Sequence, residues 1–537
     1  MDTPSSVLSD GTIRALVEAG RIHIDPWDPA MVQPASVDVR LGNSFRVFHN
    51  HRIQAIDLDA PPKDLTEHVE VQGEDPFVIH PGEFVLGSTA ERVSLPEDVV
   101  ARIEGKALAL DTPIPTPSGW TTMGALAVDD EVFDARGQPT PVVAASEVVV
   151  GRECREVVFS DATTIIADVD HRWESWTKFS RSRRRPPEIL TTGQIERSLK
   201  CSATEYNHHV APCDPVRYPE RELPIDPYVM GAWLGAGTSA QAEITIVDEP
   251  ILAEIGRAGY GVAPASRARP LSYRIGGEGR SRDLVTGRRR AHGSFSSTLR
   301  AAGLMGDKHI PRVYLEASVA QRRALLEGLM DTGGSADRSG RCELVTLRPH
   351  LAEQYRELIA SLGFTPVVGV RTATLTGKRC GLRYAVTFAP HEAVFRLPRK
   401  LASQTLGGRP HDDRAIVDVR PVDSVPVRCI QVGHPSGLFL ASRSFITTHN
   451  SSLGRLGLVV HATAGFVDPG FQGTLTLEIA NFNSVPIVLR AGKPIAQLSF
   501  MALDRPAQRP YGHPGLGSHY HGQVEATESR YGTTPAS

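Results

Sequence analysis

The chain changes its pattern of polar and apolar residues twice, and this limits its fold more than any other feature. Segments of two-residue alternation lie near both ends: Ser36-Val37-Asp38-Val39-Arg40-Leu41 and Thr474-Leu475-Thr476-Leu477-Glu478-Ile479. Such alternation sets one face of a strand on a core and the other in polar surroundings. The runs Phe77-Val78-Ile79 and Phe84-Val85-Leu86 flank a turn, His80-Pro81-Gly82-Glu83. After residue 451 the same style returns, in Val485 to Leu489 and Ile495 to Leu498. The middle differs. It holds all six cysteines, Cys154, Cys201, Cys213, Cys342, Cys380 and Cys429. It also holds the runs Arg183 to Arg185 and Arg288 to Arg290 and two helical stretches, Ser318 to Met330 and His350 to Leu362. Two β-rich flanks thus enclose a block of different origin.

At 537 residues the chain is long enough for three or four domains. Its 41% hydrophobic and 22% charged residues fit a soluble globular protein. A net charge of −3 argues against a globally basic nucleic-acid binder. No window is apolar enough for a membrane span, and the N-terminal MDTPSSVLSDGTIRALVEAGR reads as a capped helix rather than a secretory signal. A cytoplasmic location is therefore expected. No C-x-x-C pair exists, which argues against a cysteine zinc site or a redox dithiol. The H-x-E…P-C-x-x-C pattern of zinc-dependent nucleoside deaminases is missing as well. The tail after about Arg505, rich in Gly, Pro, His and Ser, is expected to be loose or ordered only against a partner.

The two ends of the middle block carry a motif pair. It opens with Ala107-Leu108-Ala109-Leu110-Asp111-Thr112-Pro113-Ile114 and closes with Thr448-His449-Asn450, followed by Ser451. These resemble the first and last blocks of inteins. Splicing chemistry explains the residue types. A hydroxyl at Ser451 accepts an acyl group, Asn450 cyclises onto its own carbonyl, and His449 assists by proton transfer. Ala107 stands where most inteins have Cys or Ser, so the resemblance implies either a dead intein or an internal nucleophile. His171-Arg172-Trp173, Val427-Arg428-Cys429-Ile430 and Thr448 resemble the Trp, Cys and Thr set of class 3 inteins. By that resemblance Cys429 attacks the Lys106 carbonyl and Ser451 then takes the chain. The family usually has Thr three residues before the His. Here it is Asp168, still a hydrogen-bond acceptor, so altered tuning is expected. Taken singly, Cys429 reads as a buried inert thiol, and His171 and Trp173 as core residues.

Inside the block, Val229-Met230-Gly231-Ala232-Trp233-Leu234-Gly235-Ala236-Gly237 and Leu326-Glu327-Gly328-Leu329-Met330-Asp331-Thr332-Gly333-Gly334 resemble the paired helices of LAGLIDADG endonucleases. The family's metal-binding acids fall at Ala236 and Gly333, which cannot ligate a cation. A folded remnant without nuclease activity is expected, with DNA binding not expected to matter.

Joining the flanks sets Ile103-Glu104-Gly105-Lys106 against Ser451-Ser452-Leu453-Gly454-Arg455-Leu456-Gly457-Leu458. With His461 to Phe471 and Thr476-Leu477-Glu478, this resembles dCTP deaminases, relatives of trimeric dUTPases. The resemblance implies that dCTP is the substrate. Glu478, helped by an apolar surround, would be the base that activates water. Ser451 and Arg455 would act at the reacting base, and Lys106 with Ser451, Ser452, Leu453, Gly454 and Arg455 would hold phosphate. Asp468 would meet the sugar, and Thr476, Leu477 and Gln497 the substrate. Tyr511, His519 and Gln523 lie where a tail closes over the triphosphate, His519 replacing the family's Lys. Mg²⁺ would bind through the triphosphate and not in a protein cage. Ala464-Gly465-Phe466 resembles the enzymes that form dUMP rather than dUTP, with Gly465 clearing room for a hydrolytic water.

The expected fold is mainly β. A dUTPase-like distorted β-barrel that trimerises (1–106 and 451–537) is interrupted by an all-β intein splicing domain (107–216 and 406–450). That domain in turn carries an inserted α/β LAGLIDADG domain (217–405). The alternatives are a monofunctional deaminase giving dUTP, or a splicing-dead chain without deaminase activity.

Overall fold

A computed structural model describes residues 8–33, 36–49, 65–73, 75–103, 107–146, 148–276, 294–375, 378–404, 414–449, 458–460, 465–481 and 485–530. The chain is mainly β. The two alternating segments become the long strands Ser36–Phe48 and Gln472–Asn481. Both pair with Phe84–Ser94 in a ten-stranded sheet. The main path of that sheet runs Leu458–Val460, Gln472–Asn481, Phe84–Ser94, Ser36–Phe48, Pro494–Ala502, Val99–Ile103, Phe466–Val467. Strands from the two flanks therefore interleave. Two clusters fill the interior, one around Val37, Val39, Val93, Ala101, Leu498 and Phe500, the other around Leu41, Phe45, Val85, Leu477, Ile479 and Ile495. Each draws on both flanks. Since burial of one such side chain contributes about 1.5–3 kcal/mol, neither flank keeps its core alone.

The N-terminal helix, Asp10–Glu18, is capped by Ser9, whose Oγ accepts from the Thr12 amide at 3.4 Å. The C-terminal tail corrects an expectation, because through residue 530 it is ordered against its own barrel. The Thr474 amide donates to the Gln523 carbonyl at 3.0 Å, Arg46 Nε donates to the Ala526 carbonyl at 2.8 Å, and Ala526 is fully buried. Its Gly and Pro residues make turns whose backbone groups find partners on the barrel.

The middle block has a second β unit, again built from distant segments. Its six-stranded sheet runs His209–Val210, Arg414–Val422, Cys154–Phe159, Thr164–Asp168, Leu108–Ala109, Val427–Arg428. A four-stranded sheet runs Glu188–Thr191, Arg172–Ser175, Ile446–His449, Leu438–Ala441. This unit is not wholly β as expected. Two short helices, Lys178–Ser182 and Thr192–Arg197, interrupt it, the second started by a capping box of Thr191 and Gln194.

Between residues 210 and 414 lies a mixed α/β unit. Its helices Pro227–Ala236 and Val319–Gly333 cross closely because Gly231 and Gly328 lack side chains. A Cβ on Gly231 would collide with the Leu325 carbonyl, and one on Gly328 with that of Tyr228. Each helix ends on a lysine. Lys308 Nζ donates to the carbonyls of Trp233, Leu234 and Gly237 at 2.6–2.9 Å. Lys400 Nζ donates to those of Met330, Asp331 and Gly334 at 2.6–2.9 Å.

Candidate functional site

Ala107 leads into the strand Leu108–Ala109, which lies between Thr164–Asp168 and Val427–Arg428. On one side Leu108 faces Ala167. On the other, Leu108 faces Arg428 and Ala109 faces Val427. Extending each register by one residue sets Asp168 and Cys429 on either side of Ala107. Directly opposed antiparallel residues share a face, with Cβ atoms about 4.5–5.5 Å apart. The register thus sets Cys429 across from Ala107, and its Sγ donates to the Ile430 carbonyl at 3.5 Å. The Ala107 amide donates to Asp168 Oδ2 at 3.0 Å, and the Asp168 amide donates to the Ala107 carbonyl at 3.1 Å. Cys429 is fixed through its backbone. Its amide donates to Ser146 Oγ at 3.0 Å, and its carbonyl accepts from the Ser146 amide at 2.9 Å. The side chain is partly exposed and packs on the cluster of Ala107, Cys154 and Val427.

The closing end of the block comes to the same place. The His171 amide donates to the Asp168 carbonyl at 3.1 Å, and His171 Nε2 shares a 2.6 Å hydrogen bond with Thr448 Oγ1. Trp173 stands edge-to-face against the His171 ring, with centroids 4.9 Å apart. Fully buried, Trp173 donates from Nε1 to Thr192 Oγ1 at 3.0 Å, and that hydroxyl donates to the His171 carbonyl at 3.1 Å. The tryptophan thus fixes the histidine by packing and by a relay through Thr192. Arg172 pairs with His449, and Thr448 and His449 are both fully buried. Lys106, Asn450, Ser451, Ser452, Leu453, Gly454, Arg455 and Ala464 lie outside the described residues.

Sequence reasoning missed Arg152. Its guanidinium donates to Asp168 Oδ2 from Nε at 3.2 Å and from a terminal nitrogen at 2.9 Å, and reaches Asp170 at 3.4 Å. The available signal was the pair Asp168 and Asp170 beside His171, since two buried carboxylates need a cation. Cys154 faces Asp168 across the sheet, and burial pushes its thiol pKa up.

On the barrel, Glu478 faces Leu86 and is half-buried, on the side opposite Leu477 and Ile479. The Leu477 side chain is core, leaving its main chain for any ligand. Thr476 Oγ1 accepts from Gln523 Nε2 at 3.4 Å and from the Thr527 amide at 3.3 Å. The Tyr511 hydroxyl accepts from the Tyr520 amide at 3.1 Å. The His519 carbonyl takes Arg530. Exposed Asp468 closes a turn with its carbonyl, which accepts from the Phe471 amide at 3.1 Å. Gln497 donates to Asp38 at 2.7 Å, and Gln33 donates to the same carboxylate at 3.0 Å. Asp38 was another residue that the motifs did not single out. A cavity of about 120 Å³ joins the two units, lined from the barrel by Gln33 and Gln497 and from the block by Asp170, Arg172 and Thr191 among others. Gly465 has a packing reason to be glycine, because a Cβ there would collide with the Ile103 carbonyl. Among the described residues no cluster of three or more His, Cys, Asp or Glu could hold a metal ion.

The family model described as dCTP deaminase-like matches residues 7–110 and 446–503. The chain carries a dCTP deaminase-like domain, split around an insert. Among curated proteins, the dUMP-forming dCTP deaminase of Streptomyces avermitilis is 56% identical over 101 residues, which is 19% of this chain and 53% of that protein. The replicative DNA helicase DnaB of Mycobacterium intracellulare is 39% identical over 374 residues, 65% of this chain and 59% of that protein. The chain thus spans between half and two thirds of the length of these relatives. Among solved structures, the MchDnaB-1 intein aligns over 64% of this chain and 99% of its own, at 19% identity and a TM-score of 0.21. The 2'-deoxycytidine 5'-triphosphate deaminase of Agrobacterium tumefaciens aligns over 93% of this chain and 100% of its own, at 13% identity and a TM-score of 0.16.

Proposed function

We propose that the chain is a self-splicing precursor of a dCTP deaminase, and that its insert is an intein using Cys429 as internal nucleophile. The observation that carries this reading is the placement of Cys429 opposite Ala107, with the His171–Thr448 hydrogen bond at the other end of the insert. The Cys429 sulfur attacks the Lys106 carbonyl, forming a thioester and freeing the Ala107 nitrogen. The Ser451 hydroxyl takes the acyl chain, Asn450 cyclises and releases the insert, and an O-to-N shift leaves a peptide bond between Lys106 and Ser451. The α/β unit is a LAGLIDADG remnant without nuclease activity, given Ala236 and Gly333.

The ligated barrel hydrolyses dCTP to dUMP, ammonia and diphosphate. Glu478 activates water at the cytosine ring, while Ser451 and Arg455 hold the base. Mg²⁺ rides on the substrate triphosphate. The dUMP-forming relatives and Gly465 favour dUMP over dUTP. The working enzyme is a cytoplasmic homotrimer.

Intact-mass measurement on the expressed chain tests the reading. The expected outcome is conversion of the 58.2 kDa species into a ligated product of about one third of that mass and a free insert of about two thirds. Both products vanish in Cys429→Ala. A 58.2 kDa species that persists in the parent chain overturns the reading. Chromatography of the dCTP products then separates dUMP from dUTP.

A further inference from the structure

We infer that Asp168 is a catalytic residue of the first splicing step, acting as the receptor for the amine that leaves, with Arg152 as its positioning residue. The inference rests on the splicing reading and deepens it.

The nitrogen bonded by Asp168 is the one whose bond breaks. Ala107 N belongs to the Lys106–Ala107 peptide and donates to Asp168 Oδ2 at 3.0 Å. In the acyl shift the Cys429 sulfur bonds to the Lys106 carbonyl carbon, the C–N bond breaks, and the thiol proton passes to Ala107 N. The new α-amine takes a further proton from solvent, since a free α-amine has a pKa of about 7.7–8.0. A neutral N–H thereby becomes an ammonium, and its bond to a carboxylate becomes a charge-assisted one, roughly twice as strong. Asp168 therefore stabilises the product of this step more than its starting material, which is what an uphill amide-to-thioester exchange requires.

One further observation fits an incoming cation. Asp168 is fully buried, and its Oδ1 has no partner among the described residues. That oxygen is available to an N–H bond the nitrogen gains. Arg152, the positioning residue, holds that carboxylate at 2.9 Å and reaches Asp170 at 3.4 Å. The Thr common at this position in inteins accepts a hydrogen bond but carries no charge, so the Asp gives this chain a stronger hold on the leaving amine.

The test uses the full chain with Ser451→Ala and Asn450→Ala, which stops at the thioester. Dithiothreitol then cleaves it at a rate read by intact mass. Asp168→Asn keeps the shape and removes the charge, and cleavage is expected to slow about tenfold. Asp168→Asn with Arg152→Met is measured beside it, so that a stranded Arg152 cannot cause the loss. Arg152→Lys is expected to restore most of the rate lost in Arg152→Met. As a folding control, cleavage after Asn450 in a Cys429→Ala chain should stay within about twofold when Asp168→Asn is added, whereas a merely structural role would lower both. Cleavage at the parent rate in either Asp168→Asn chain overturns the inference. A parent that shows no Cys429-dependent cleavage overturns the splicing reading, and the inference falls with it.

Discussion

Two thiols lie near the opening junction, and their surroundings divide the labour between them. Cys154 is fully buried, with its pKa pushed up by desolvation, and stays an inert thiol. Cys429 is partly exposed and opposed to Ala107. His171 Nε2 shares a short hydrogen bond with Thr448 Oγ1, and both residues are buried. Thr448→Val keeps the shape and removes the partner. Loss of a buried hydrogen bond costs about 1–3 kcal/mol, so splicing is expected to slow roughly tenfold to a hundredfold, as read by the mass time course. An unchanged rate would remove Thr448 from the mechanism. Gly465 has a packing role of its own, because the Ile103 amide donates to its carbonyl at 2.8 Å and the strand leaves no room for a Cβ.

Among the elements, the two crossed helices of the insert each end at a glycine cap, Gly237 and Gly334, and a lysine binds the last carbonyls of each. The consequence for pH follows from Lys308. Burial, with Arg348 nearby, lowers its pKa to about 8, against 10.5 for the free side chain. Between those values the unfolded chain holds more protons than the folded one, so folding stability of the insert should rise with pH, by up to about 1 kcal/mol per pH unit. Thermal melts from pH 7.5 to 9.5 should show that rise, and Lys308→Met should flatten it; equal slopes would refute the assignment. The second of these helices falls on the stretch Ser318 to Met330 read as helical, and the first was marked by its resemblance to LAGLIDADG helices; the alternating strands and the capped N-terminal helix were legible because strand periodicity and capping are local signals. The closing lysines were not, since Lys308 comes from a loop and Lys400 from the short helix Pro398–Leu401, each far along the chain from the helix it closes. The same applies to the site. The motifs named His171, Trp173, Cys429 and Thr448, but Cys429 meets Ala107 only through a register between residues more than three hundred positions apart. Arg152 has no motif around it, and its one signal, the pair Asp168 and Asp170, gains meaning only from the burial of those carboxylates, which the sequence does not show.

For the whole molecule, the insert and the barrel meet at the cavity where Gln497, held by Asp38, lies near Asp170 and Arg172. A ligand contact expected of the barrel is thus flanked by the insert, while Lys106 and Ser451 stand on opposite sides of it in sequence. A chain blocked by Cys429→Ala and Asn450→Ala is therefore expected to turn over dCTP at less than about one hundredth of the ligated enzyme's rate. Assay of the two at equal concentration decides this, and comparable rates would show that the insert leaves the site intact. The interleaved strands raise a different question: how a barrel closes while its halves are so far apart in sequence. The entropy of closing a gap depends on how far apart its ends are held, and a folded insert fixes that distance. Ala107 and His449 are joined by a short bridge of hydrogen bonds, from Ala107 to Asp168, Asp168 to His171, and Arg172 across to His449. To the barrel, the insert behaves as a narrow-necked pouch on a surface loop, and its two halves can find each other before anything is cut.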